Sequence, residues 1–385
     1  MKKLILLFTF LLGCFTAAFS QSAANGNIDQ SFLNDFVCRN WTTADGLPGM
    51  TITAIMQDNK GYIYIGTYDG LVRFDGVEFV NFTRTIDPKY DFASVRSIFQ
   101  DSDGNLWVGH NDEGVSCIQP DGTILKYTTD TGLPHNSIRA ICEDFNKNIW
   151  LGTASGLCYL TPERKVRYPE GLGELGQDTI QVSRLYCDTA GRIWISTAIE
   201  NDLFVFSNKK IERFTGITKI KNPSVNEVSQ DKSGAFWFGV APHYAVRIKD
   251  TEETVFDIGH DHIEGTVVNS ILQDTAGNFW FASDSGITIL HNGLYTYYDK
   301  RNGLADDYIN HLFEDQEGNI WIAYNRGGIE KMSQGKFRTI TMSIAVNAIC
   351  EDKTRAVTWL GADDGLYCYK NHEYLNPCFK YFTTF

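Results

Sequence analysis

Short apolar stretches alternate along this chain with clusters of Asp, Asn and Gly, and the three-to-four spacing of an amphipathic helix is absent throughout. One unit reads as four strands, Ile52 to Gln57, Tyr62 to Thr67, Leu71 to Phe74 and Glu78 to Thr83, with turn residues between them. The second strand is apolar at consecutive positions, as in Leu106-Trp107-Val108 and Phe279-Trp280-Phe281. A strand with one wet face would alternate, so both faces of this strand are predicted to be covered. Between the first two strands lies an Asp-x-x-Gly turn, seen at Asp58/Gly61, Asp101/Gly104, Asp188/Gly191, Asp231/Gly234, Asp274/Gly277 and Asp315/Gly318. There the carboxylate can accept a backbone N–H, and the glycine can take the positive φ that closes a short hairpin. The third copy has Lys147 in the glycine position.

The unit recurs. Its aromatic anchor falls at Tyr64, Trp107, Trp150, Trp194, Trp237, Trp280, Trp321 and Trp359, in steps of 43, 43, 44, 43, 43, 41 and 38 residues. Four-stranded sheets buried on both sides, too small to stand alone and repeated at that period, describe the blades of an all-β propeller. The second strand ends in a small residue (Gly66, Gly109, Gly152, Ser196, Gly239, Ala282, Ala323, Gly361), as a crowded line of converging blades requires. Residues 36 to 41 read as a fourth strand without its first three, and are assigned as the outer strand of the last blade, so that no sheet edge is left open. Two closures follow. A seven-bladed ring over 36–334, with 335–385 opening a second propeller, is preferred over an eight-bladed ring, because the eighth copy has the least regular spacing. A lone blade cannot bury its faces, so the preferred reading expects the chain to be a piece of a longer protein.

Composition adds the setting. The net charge of −13 carries no basic cluster, which argues against nucleic acid as partner. Residues 1–20, with Lys2 and Lys3, the apolar run Leu4 to Leu12, and Ala18-Phe19-Ser20 before Gln21, have the layout of an export signal. Cleavage near Ser20 is the preferred outcome, ahead of lipidation at Cys14 and of an uncleaved anchor. The cysteines fall at equivalent repeat positions (Cys142 and Cys350, Cys117 and Cys368), which suits small core residues better than a disulfide framework.

The run Trp41-Thr-Thr-Ala-Asp-Gly-Leu-Pro48, then Ile52-x-x-Ile-x-Gln-Asp58, then Gly61-x-Ile-Tyr-Ile-Gly-Thr-x-x-Gly70-Leu-x-x-Phe-Asp-Gly76, resembles the two-component regulator propeller repeat. The resemblance runs from about Phe36 to Tyr369. It implies a periplasmic ligand-sensing propeller at the front of a hybrid histidine kinase, of the kind that responds to oligosaccharides. The implied partners are an oligosaccharide ligand and a downstream kinase region, with self-association into a dimer left open. No kinase, receiver or DNA-reading segment is found in these 385 residues, so output is implied by the resemblance alone.

Candidate chemistry is sparse. Gly171-Leu-Gly-Glu-Leu-Gly176 lacks the strand and helix that a dinucleotide site needs, and Asp101-Ser-Asp-Gly-Asn lacks the distal Glu of a calcium loop. His260-Asp261-His262 has no third ligand in view. No metal, cofactor or catalytic residue is therefore predicted, and a scaffold without a small ligand or a propeller lyase or glycosidase are the alternatives to a sensor. For ligand contact the loops between second and third strands supply Tyr68, Asp69, His110, Asn111, Asp112, His243, Tyr244, Tyr324 and Arg326. Such aromatic planes, amides and charges suit a sugar. His110 and Arg326 are the first choices for substitution.

Overall fold

The structure is a computed structural model that describes residues 28–82, 92–171, 180–198, 202–259, 267–335, 345–355, 357–363, 365–370 and 373–380. The stretch read as an export signal and His260-Asp261-His262 lie outside the described residues. The chain divides into two compact units, up to Gly335 and from Lys336.

In the first unit seven four-stranded antiparallel sheets stand as blades. Their inner strands are Ile52–Gln57, Val95–Gln100, Ile138–Glu143, Val182–Cys187, Ser224–Gln230, Val268–Gln273 and Ile309–Glu314. Each inner strand packs on the next, and the seventh packs on the first, so the ring closes on seven blades and not eight. Strands Phe36–Trp41 and Ile329–Gln334 pair antiparallel, from Phe36↔Gln334 to Trp41↔Ile329, making the N-terminal segment the outermost strand of blade 7. Trp41 then stacks on Trp321 with ring centroids 5.5 Å apart. Just upstream, Asp29 and Phe32 strap the outer edge of blade 6: Asp29 N–H donates to the Tyr295 carbonyl, and Phe32 lies 4.2 Å from the His291 ring. The fourth strand of blade 1 is Phe79–Phe82, one residue inside its predicted start, because Glu78 N–H is held by the Asp75 carboxylate in the preceding turn.

The Asp-x-x-Gly carboxylate does more than close a turn. Its Oδ1 accepts two backbone N–H groups, as Asp231 does from Ser233 and Ala235, and its Oδ2 accepts the anchor indole: Trp107, Trp150, Trp194, Trp237, Trp280 and Trp321 each donate Nε1 to the aspartate six residues earlier at 2.8–2.9 Å. Lys147 keeps the turn by adopting φ 61° where the other copies have glycine. The indoles are buried in the packing between neighbouring blades. The crowding expected at the end of the second strand is present: a Cβ on Gly152 would meet Val182 Cγ1 at 2.4 Å, and one on Gly66 would meet Val95 Cγ1 at 2.6 Å.

A belt of hydrogen bonds joins the turns. The Gln or Glu that ends an inner strand accepts the backbone N–H after the aspartate of the preceding blade: Asn59 to Gln100, Ser102 to Glu143, Thr189 to Gln230, Lys232 to Gln273, Thr275 to Glu314, and Gln316 to Gln57 across the closure. At the junction of blades 3 and 4 the position is Cys187, and Phe145 beside it is exposed. Cys117, Cys142 and Cys158 are buried core residues, and burial pushes the Cys158 thiol up to about 12.

The second unit is one sheet of Val346–Asp352, Val357–Ala362, Gly365–Lys370 and Glu373–Lys380. Its first strand, equivalent to the inner strands of the ring, is exposed, with Ile349 at 71%.

Candidate functional site

Every inner strand of the ring carries a β-bulge after its first apolar residue, and the register skips Thr53, Arg96, Arg139, Ser183, Asn226, Asn269 and Asn310. A bulge leaves one residue out of the ladder and re-aims its side chain. All seven line a single cavity of about 470 Å³, which places that cavity on the ring axis, where residues of all seven blades meet. Tyr68 and Tyr308 also line it and are 44% and 41% exposed.

Five of the seven positions fall into two groups. Thr53 donates to the Val95 carbonyl, Asn269 to Ile309 and Asn310 to Ile52, at 2.7–2.9 Å, so these residues latch each blade to the next. Arg96 and Arg139 make no such latch. Arg96 donates Nη2 to the Tyr68 hydroxyl at 3.2 Å with its guanidinium 5.5 Å from the ring centre, and Arg139 donates to Gln181 Oε1 at 3.4 Å. The Nε of each is buried without a hydrogen-bond partner.

One residue deeper, Arg184, Glu227 and His311 form a polar cluster. Arg184 donates Nη1 to His311 Nε2 at 3.1 Å and Nη2 to the Asn269 carbonyl at 3.3 Å, and its Nε lies 3.4 Å from Glu227 Oε2. Burial, and then the Arg184 charge, hold the His311 pKa well below the usual histidine range, so its Nε2 is an acceptor. Burial raises Glu227 to about 7, with Arg184 acting against the rise. Among the described residues no cluster of three His, Cys, Asp or Glu comes together to hold a metal ion.

Of the residues expected from sequence, Tyr68 lines this cavity; Asp69, Asn111, Asp112, His243, Tyr244 and Arg326 do not. Two expectations are corrected. His110 is fully buried, with Nδ1 3.1 Å from the Ala93 carbonyl, Nε2 2.9 Å from Ser116 Oγ and its ring parallel to Phe92, so it holds a blade together and offers no ligand contact. Tyr324 is buried as well and donates its hydroxyl to Glu330 at 2.8 Å. Arg326 and Asp112 are exposed away from the axial cavity, and His243 packs against Tyr244 and lies 3.7 Å from Asp257. The residues that sequence reasoning missed sit eleven positions before each anchor, a polar side chain directly after an apolar one in all seven copies. That column was visible; the bulge that turns it to the axis was not.

A closed ring of four-stranded blades around an axial cavity defines a β-propeller. The model of the two component regulator propeller matches four stretches of the chain, residues 46–69, 90–112, 132–155 and 303–326. No curated protein matches the chain by sequence. Among solved structures it is similar to the extracellular domain assigned to the hybrid two component system BT3049 of B. thetaiotaomicron, with a TM-score of 0.68 and 19% identity over 89% of this chain and 49% of that one. The extracellular domain of BT4673 from the same organism gives 0.62 and 18%, covering 89% and 47%. Virginiamycin B lyase from Staphylococcus aureus gives 0.60 and 18%, covering 77% and 98%. At these identities the likeness is one of fold, and the chain spans about half the length of the two extracellular domains. Among the described residues no helix is long and apolar enough to cross a membrane.

Proposed function

We propose that this chain is the ligand-capturing part of a periplasmic sensor, which takes an oligosaccharide in the axial cavity and passes the bound state to a histidine kinase region. The observation that carries the proposal is the cavity itself: hydroxyl, amide and guanidinium groups from seven blades converge beneath two half-exposed tyrosines. Sugars bind such sites through C–H faces on aromatic rings and hydroxyls on convergent polar groups. The repeat family and the likeness to extracellular domains of hybrid two component systems support the sensor role. On the same reading the sheet at 346–380 opens a second propeller, since its exposed first strand is the one that neighbouring blades bury in the ring.

Calorimetry of the exported chain against an array of oligosaccharides tests the reading. The expected result is saturable binding of at least one class, weakened several-fold by Tyr68→Ala or Tyr308→Ala. Absence of binding by every class, with the ring intact by circular dichroism, would favour a scaffold. Product release under the same conditions would favour the lyase or glycosidase alternative.

A further inference from the structure

The axial cavity is basic in an acidic chain. Three arginines line it, no carboxylate lines it among the described residues, and the chain as a whole carries −13. Arg184 is balanced by Glu227 at 3.4 Å. Arg96 and Arg139 are not balanced: among the described residues neither has an ion-pair partner, and each keeps a buried Nε–H without an acceptor. They come from adjacent blades at the same bulge position, and burial followed by the charge of Arg96 lowers the Arg139 pKa, as expected for like charges held close in a partly dry site. Both depart from the repeat, because the equivalent Thr53, Asn269 and Asn310 serve as latches to the next blade, a role that a neutral side chain fills. Two unpaired guanidinium groups in one cavity repel and leave donors unsatisfied, costs that persist in the empty site and vanish when an anion bridges them. Guanidinium groups favour planar or tetrahedral oxyanions, which they bind through paired N–H donors.

From this geometry we infer that the axial site selects an acidic oligosaccharide, with a carboxylate or sulfate group of the sugar seated between Arg96 and Arg139. The inference rests on the carbohydrate reading above and narrows it. Tyr68 belongs to the same device: its hydroxyl fixes Arg96, and its half-exposed ring supplies the face on which the sugar carrying the anion lies. Asn226, Asn269 and Asn310 line the cavity from blades 5 to 7, the last two still offering their amide oxygens while their N–H groups latch the next blade, and suit neutral hydroxyls, so the site has an anion-binding end and a neutral end.

The test is calorimetry of the whole chain against the best binders from neutral, uronate-containing and sulfated oligosaccharide arrays, with sodium sulfate as an anion without sugar. The expected result is that an acidic oligosaccharide binds at least tenfold tighter than its neutral analogue. Arg96→Gln and Arg139→Gln should each remove about tenfold of that affinity, Arg96→Lys should keep most of it, and added salt should weaken it. The uronate and sulfated arms identify which anion is read. Equal binding of neutral and acidic sugars, unchanged in Arg96→Gln and Arg139→Gln, would overturn the inference and leave the carbohydrate reading standing. Failure of every oligosaccharide would sink both. Arg-dependent binding of sulfate alone would show an anion site that reads no sugar and would overturn the inference as well.

Discussion

Asp231 shows how much one side chain does in this repeat. Its Oδ1 accepts the backbone N–H of Ser233 and Ala235, and its Oδ2 accepts Trp237 Nε1 at 2.9 Å and Arg247 Nε at 3.2 Å. Asp231→Ala orphans several buried donors at once, so a loss of about 3 kcal/mol is expected in chemical denaturation. Burial by itself would raise the Asp188 and Asp231 carboxyls, but the hydrogen bonds from Trp194 and Arg192, and from Ser233 and Trp237, outweigh it and leave both below the ordinary range. A depressed carboxyl stabilises the fold above its unfolded pKa, ~3.9, and that stability is lost as pH falls through the lower folded value. Glu227 has the opposite sign. With its carboxyl raised to about 7, its contribution is full below the unfolded value of 4.5 and is lost as pH rises through 7. Denaturation midpoints of wild type and Glu227→Gln should therefore diverge between pH 5 and 8, the variant lacking the decline. Parallel profiles would mean that Glu227 is ionised throughout.

At the level of elements, two devices close the ring without a covalent bond: the outer strand Phe36–Trp41 and the belt of turn-to-strand hydrogen bonds. Deleting residues 28–41 removes the strap on blade 6, uncovers the edge of Ile329–Gln334 and strips Trp41 from Trp321. Open edges invite pairing with other chains, so light scattering should report aggregation of this variant at concentrations where the full chain is monodisperse. The belt has one gap, at Cys187, where the other junctions have Gln or Glu. Cys187→Gln supplies the missing acceptor for the blade 3 turn and should raise stability by about 1 kcal/mol, read as a higher melting temperature. Blade boundaries and the closing strand were legible in sequence, since apolar runs and Asp-Gly turns are local signals. The belt was not, because each bond joins two blades, about forty positions apart as in Asn59 to Gln100 and many more across the closure from Gln316 to Gln57.

For the whole molecule, the cavity is a product of closure. No blade owns it; seven bulge residues spread from Thr53 to Asn310 make it only when the ring is shut. Removal of residues 28–41, none of which lines the cavity, should therefore abolish glycan binding in whatever monomer remains, whereas Tyr68→Ala should weaken binding with no effect on the ring. Comparing the two variants by calorimetry and near-UV circular dichroism separates loss of architecture from loss of contact. The same logic explains His110 and Tyr324. Both occupy the end of a second strand, where sequence places a ligand-facing loop, yet His110 is held by Ala93 and Ser116 and Tyr324 by Glu330. Whether a residue at that position faces solvent or core depends on how the loop joining two blades folds over it, which is a property of the neighbours and not of the residue.

The sequence by itself determined the period, the four strands of each blade, the aspartate turns and the small residues where blades converge, because each follows from spacing and side-chain size within one repeat. Only the tertiary structure decided which polar residues reach the axis. A bulge turns a side chain from the sheet to the ring centre, and the groups that then oppose or support one another belong to different blades: Arg96 and Arg139 to adjacent ones, and Arg184 to the blade beside that of Glu227 but across the ring from His311, which it reaches only when the circle is complete.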